Sequence, residues 1–163
     1  MQRLLTTPAV GERVALMVYA WVGDARRFRN ARELGSYAGL VPSVRQSGEK
    51  QTLGGITKMG SPQLRSVLVQ AGHVLLWRCQ SEESAPLKAI AERVQTARAR
   101  RKIAVIAAAR HILRIAYYVM RDGITYRELG ADYSQRRDRE RTVRRHVKQL
   151  EALGYVVTMQ PAA

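Results

Sequence analysis

Residues 40–65 read Leu40-Val41-Pro42-Ser43-Val44-Arg45-Gln46-Ser47-Gly48-Glu49-Lys50-Gln51-Thr52-Leu53-Gly54-Gly55-Ile56-Thr57-Lys58-Met59-Gly60-Ser61-Pro62-Gln63-Leu64-Arg65. Helical periodicity fails here and resumes at the end. Glycine permits a positive φ and close backbone approach, and proline presets φ. The four glycines and two prolines therefore describe turns and short extended runs rather than a helix. Two short strands are expected, about 43–46 and 51–57, joined near Gly48, or an ordered loop in their place. Hydroxyls and cations crowd between the glycines, so the stretch suits a surface that receives a polyanion better than a core. Ser61 and Pro62 read as N-cap and first helical residue of the next helix. The free amides of that helix start would favour phosphate beside the cations.

Outward from this stretch the chain reads as helices. Downstream, Leu64, Val67, Leu68, Ala71, Leu75 and Leu76 recur at three- and four-residue spacing, which predicts a helix from Ser61 to about Cys79. Two more follow, about 86–100 and 102–121, stopped by Asp122-Gly123. Upstream, Asn30 with Glu33 three residues later forms a capping box for a helix over 31–38, with Leu34, Tyr37 and Ala38 as its buried stripe and Gly39 past its end. Residues 1–23 suggest a helix-hairpin-helix-like start: a short helix, a Pro-x-x-Gly turn and an apolar helix from Glu12 to Val22. Ala9 stands where such hairpins usually carry their first glycine. The tail predicts a basic helix over Arg136–Leu153 with Val143, Val147, Leu150 and Leu153 on one face, ended by Gly154. Residues 155–159 add a short strand or pack loosely. A helix-turn-helix over 125–153 is a weaker alternative. The expected fold is mainly α, divided as 1–39, 40–123 and 124–163.

Composition limits the partners. The 163 residues carry 28 Lys and Arg against 13 Asp and Glu, a net charge of +15. Such an excess implies an anionic partner, most simply nucleic acid, through phosphate neutralisation and counterion release. One Phe and two Trp leave an aliphatic core. No run of about 18 apolar residues is evident, so no membrane partner is expected. No secretory leader is visible, and the lone Cys79 suits a reducing cytoplasm, with the nucleoid as the place of action. His73, His111, His146 and Cys79 form no zinc pattern.

Gly39-Leu40-Val41-Pro42, then Ser47-Gly48, then Gly54-Gly55-Ile56-Thr57-Lys58-x-Gly60-Ser61-Pro62-x-Leu64-Arg65, resembles the C-terminal domain of the insertion-sequence-110 transposases. Their 116 and 902 relatives and the pilin-gene invertases share the pattern. The resemblance continues through Leu4-Leu5-Thr6-Thr7-Pro8, Phe28 to Leu34, and Ala116-Tyr117-Tyr118. It implies a DEDD-type transposase whose serine before the glycine, here Ser47, attacks a DNA phosphodiester and holds the strand as a phosphoserine. Gln46 stands where many members have a second serine. The resemblance implies DNA as partner, a noncoding guide RNA made by the element, and a homo-oligomer, dimer or tetramer. It also implies a preceding RuvC-like domain with metal-binding acidic residues. A divalent metal is expected there and no cofactor in this chain. The expected chain is thus a truncated product or an excised domain, inactive as a recombinase by itself.

A serine hydroxyl is a weak nucleophile that needs a proton acceptor and charge neutralisation at phosphorus. Arg45, Lys50, Lys58 and Arg65 are the local candidates for neutralisation. No base stands out, and Glu49 is merely adjacent. Two further basic patches are candidates for DNA contact: Arg98, Arg100, Arg101 and Lys102, and the run from Arg136 that contains Arg144 and Arg145. Each has a plainer reading. Ser47 could be an ordinary turn serine, and the basic helices could be solvated faces, with Asp138 and Glu140 as local pairs. His73 and His111, on largely apolar helices, read as core or boundary histidines. The rival function is a non-catalytic DNA- or RNA-binding fragment of a transposase, and a basic scaffold for acidic protein or lipid is a third.

Overall fold

The computed structural model describes residues 1–47, 50–98, 100–127 and 131–159. Among the described residues the fold is mainly α, with six α-helices and one two-stranded antiparallel sheet. The chain forms two compact units, residues 1–127 and 128–163.

The first unit begins with a 3-10 helix, Gln2–Thr6, and then α1, Glu12–Val22. The helix-hairpin-helix expectation thus meets a 3-10 turn in place of a first α-helix. Ala9 sits between them at φ 63, the left-handed conformation that glycine adopts without strain. A second 3-10 turn, Ala25–Arg27, leads to α2, Ala31–Tyr37. Asn30 Oδ1 accepts the Glu33 amide at 3.0 Å. The Glu33 carboxylate reaches one residue further back than a standard capping box, accepting the Arg29 amide at 2.8 Å. Leu34 and Ala38 are buried as the periodicity predicts, but Tyr37 is 37% exposed. Its ring lies tilted against Phe28, and the Arg27 guanidinium sits over both rings.

Strand β1, Pro42–Ser47, pairs with β2, Lys50–Ile56. Ser47 opposes Lys50, so residues 48 and 49 join the strands; Gly48 and Glu49 lie outside the described residues. Backbone bonds stitch the base of this hairpin: the Thr57 amide donates to Val41 and the Lys58 amide to Gly39. Gly39 and Gly60 both hold positive φ, and a side chain on either would collide with backbone: Met59 in the first case, Tyr37 in the second. The segment therefore leaves α2 and returns to α3, Pro62–Trp77, through a clasp that only glycine fits. Ser61 caps α3 as expected, its Oγ accepting the Leu64 amide at 3.2 Å.

Helices α4, Ala85–Arg98, and α5, Arg101–Asp122, complete the first unit. Helix α5 is its axis and contacts α2, α3 and α4. Ala104, Val105, Ala108, Ala109, Ile112 and Leu113 are all buried on its inward side. Small residues let the helices approach closely. A Cβ on Gly72 of α3 would meet the Val105 carbonyl oxygen at 2.7 Å. Tyr117 is also buried, and its hydroxyl donates to the Phe28 carbonyl at 2.9 Å, which satisfies the one polar atom that its ring brings inside. Helix α5 has the length and hydropathy of a membrane span, but half of that window is buried within the protein. That is the pattern of a core helix. Gly123, left-handed at φ 66, ends it.

The second unit is α6, Ala131–Ala152. It starts five residues before the basic run that predicted it. Gly154 follows at φ 89, and residues 155–159 form no strand. Residues 125–127 are not helical, so the described part offers no first helix for a helix-turn-helix.

Candidate functional site

Ser47 is the last residue of β1, at the far end of the hairpin from the helical body. It is exposed. The register pairs position 45 with 52 and position 47 with 50. Because side chains alternate along a strand, positions 45, 47, 50 and 52 belong to one face of the ribbon. Two basic positions thus flank the serine on its own face. The side chains of Arg45 and Lys50 lie outside the described residues. Of the described hairpin side chains, Val44 is 52% exposed, and the Ser43 hydroxyl, 3.1 Å from the Gly55 carbonyl oxygen, donates to it across the strands.

Lys58 and Arg65 are not with them. Lys50 and Ile56 lie six residue steps apart along β2, about 20 Å of extended chain, and both cations lie beyond its base. Lys58 is exposed, in the left-handed region at φ 55. Arg65 is half-buried and donates from Nη1 to the Ala38 carbonyl at 3.3 Å, satisfying the C-terminal end of α2. The start of α3 sits at this same base, its third amide already taken by Ser61. The structure thus divides the stretch in two: a tip with Ser47 between two basic positions, and a base where glycine, serine and arginine build a joint. Sequence adjacency hid this division, because a hairpin carries neighbours in sequence apart by its own length.

The Arg100 to Lys102 knot straddles the start of α5, with Arg100 as N-cap and all three side chains exposed. No acidic residue lies in that first turn, so three cations face the positive end of a helix dipole, an arrangement that disfavours the helix unless an anion is near. Arg100 and Lys102 line a cavity of about 840 Å³ between the hairpin base, α4 and α5. The side chain of Arg98 lies outside the described residues. Arg144 and Arg145 are exposed on α6, and the side chains of Arg136, Arg137 and Arg141 lie outside the described residues.

Of the histidines, His73 is exposed and stacks on Trp77, ring centroids 4.8 Å apart. His111 is half-buried on α5, and burial, then Arg114 and Arg110, hold its pKa below the usual imidazole value. Among the described residues no three of His, Cys, Asp and Glu come together.

The Transposase IS116/IS110/IS902 family matches residues 1–88. The transposase for insertion sequence element IS1111A of Coxiella burnetii is 41% identical over 95 residues, covering 56% of this chain and 26% of that protein. The transposase for insertion sequence element IS1328 of Yersinia enterocolitica is 34% identical over 127 residues, covering 77% and 37%. The pilin gene-inverting protein of Moraxella lacunata is 31% identical over 121 residues, covering 72% and 36%. The chain thus spans between a quarter and two fifths of the length of these relatives. The family match takes in α1, α2, the whole hairpin and α3, so on this footing the chain belongs to the IS116/IS110/IS902 transposase family.

Proposed function

We propose that this chain is the strand-cleaving part of a DNA transposase or recombinase, with Ser47 as its nucleophile. The observation that carries the reading is the exposed serine at the hairpin tip, between two basic positions on one face, in a chain of this family. Ser47 Oγ forms a bond to the phosphorus of a DNA phosphodiester. The bond from phosphorus to the leaving sugar oxygen breaks, and that oxygen takes up a proton. The serine proton passes to a general base. Arg45 and Lys50 neutralise the charge that gathers on the phosphoryl oxygens. The phosphoserine conserves the bond energy for rejoining to a second strand. Lys58 and Arg65, at the hairpin base, stand too far back for the same phosphate and serve the joint instead.

Substrate and setting follow as part of the same proposal. DNA in the cytoplasm, at the nucleoid, is the substrate, and a noncoding RNA is a second polyanion that the basic surfaces suit. Strand exchange requires at least two protomers, so a dimer or tetramer acts. The test is Ser47→Ala in the full-length protein. Loss of both strand exchange and the covalent protein–DNA adduct is expected, and retention of both removes the nucleophile. A second reading, a nucleic-acid-binding piece that cuts nothing, is favoured by the net charge of +15 on a chain that spans only 26% and 37% of the IS1111A and IS1328 transposases. A covalent adduct formed on nicked DNA by the 163-residue chain alone would exclude it.

A further inference from the structure

The inward side of α5 builds the core, but its outer side is a trough. Two cavities lie end to end along it. One, about 840 Å³, lies between the hairpin base, α4 and α5; the other, about 460 Å³, lies between the start of α2 and α5. Ala107 and Arg110 line both, so the two adjoin along the helix. From Lys102 to Tyr118 the trough follows sixteen residues of helix, about 24 Å, which suits about four nucleotides of one strand, the lower end of single-strand site sizes.

Its lining is one-sided in charge. Arg100, Lys102 and Arg110 edge the larger cavity, and Arg32, Arg110 and Arg114 the smaller. No acidic residue is among the described lining residues of either. The floor is not uniform. The larger cavity has an apolar bed that includes Pro42, Ile56, Val94, Ile103 and Ile106. At the other end stands Tyr118, 37% exposed. A duplex offers such a trough only its phosphates and keeps its bases stacked inside. An unpaired strand offers phosphates to the cationic edges and base faces to the aliphatic bed and the tyrosine ring.

We infer that the outer face of α5, between the hairpin base and α2, holds an unpaired polynucleotide strand. Arg32, Arg110 and Arg114 take its phosphates, and the aliphatic bed of Val94, Ile103 and Ile106 takes an unstacked base. The inference rests on reading the chain as a nucleic-acid-binding protein and is independent of Ser47 as nucleophile. Unpaired DNA and RNA share this chemistry, and the trough serves either.

Binding of the whole 163-residue chain to short labelled oligonucleotides of one mixed sequence, as DNA strand, RNA strand and DNA duplex, tests this by fluorescence anisotropy across a salt series. Either single strand should bind more tightly than the duplex, and the tighter of the two identifies the natural source. The double variant Arg110→Ala/Arg114→Ala should lose at least tenfold in single-strand affinity. Its dependence of log K on log salt should flatten by about 1.4, the share of two phosphates on a single strand. Arg110→Lys should keep most of the affinity. Thermal melting of each variant separates lost contact from lost fold. Tighter binding to the duplex overturns the inference. So does a folded double variant that binds single strands as the wild type does, or a loss confined to Arg144→Ala/Arg145→Ala. In the last case the chain still binds nucleic acid, but elsewhere, and Ser47 stands or falls by its own experiment.

Discussion

Helices α5 and α6 are each 22 residues long and rich in arginine, but among the described side chains only those of α5 include buried ones. Along α5 the cations occupy one side and small or branched apolar residues the other, and nine of its residues are buried. Along α6 the apolar residues recur at the right spacing but are too few and too interrupted by arginine. Val143 and Leu150 are each 41% exposed, and Leu153 73%. Length and charge therefore do not decide whether a helix is structural. The unbroken width of its apolar face does, since an amphipathic stripe must cover enough of the circumference to exclude water. Helix α5 is held by what it buries.

Matched truncations should expose this contrast most strongly. Leu113→Ala, at a site 1% exposed, should destabilise the first unit by about 2–5 kcal/mol. Leu150→Ala should stay within about 0.5 kcal/mol. Urea unfolding followed by circular dichroism and by tryptophan emission checks both, because Trp21 and Trp77 lie only in the first unit. Equal losses would erase the distinction. A smaller effect is expected where α5 meets α3. Gly72→Ala adds a methyl 2.7 Å from the Val105 carbonyl oxygen and 3.2 Å from the Ala109 amide. This overpacking should cost about 1–3 kcal/mol, although alanine is the better helix former. A gain in urea midpoint would show that the helices part freely.

The smallest effect lies on the outer edge of α5. His111 is half-buried, with Arg110 and Arg114 on its own helix and Arg32 of α2 lining the same cavity. Burial first, then the two arginines of its helix, lower its folded pKa below the value near 6.5 of the unfolded chain. Below about pH 6.5 the unfolded state therefore binds more protons than the folded one. Stability should be level above that pH and decline as pH falls through the folded pKa. His111→Leu should abolish this part of the slope. A wild-type curve flat from pH 7 to 5, or one that rises on acidification, contradicts the placement of His111 between those arginines.

Local signals were the most legible in the sequence. Asn30 with Glu33, Ser61 with Pro62, and Gly123 act through bonds that close within a few residues, and the helices begin and end beside them. Helix α1 occupies the span that its apolar pattern marks. Roles that depend on distant partners were hidden. Arg65 reads as a phosphate ligand until α2 brings the Ala38 carbonyl to it. Tyr37 reads as core until Arg27 and Phe28 hold its ring at the surface. Ile103 and Ile106 repeat like core positions, yet both are half-buried and line the trough. The recurrence of Arg110, Arg114 and Tyr118 at four-residue steps was the one hint of that face. Arg32, from another helix, had no hint at all.

The glycine clasp at Gly39 and Gly60 has an evolutionary corollary. The segment between Gly39 and Gly60 departs and returns through one narrow joint, and few of its described side chains are buried. Mutations inside that excursion are therefore largely decoupled from folding. Selection could lengthen, recharge or reshape the ribbon around its serine while the scaffold beneath stayed the same.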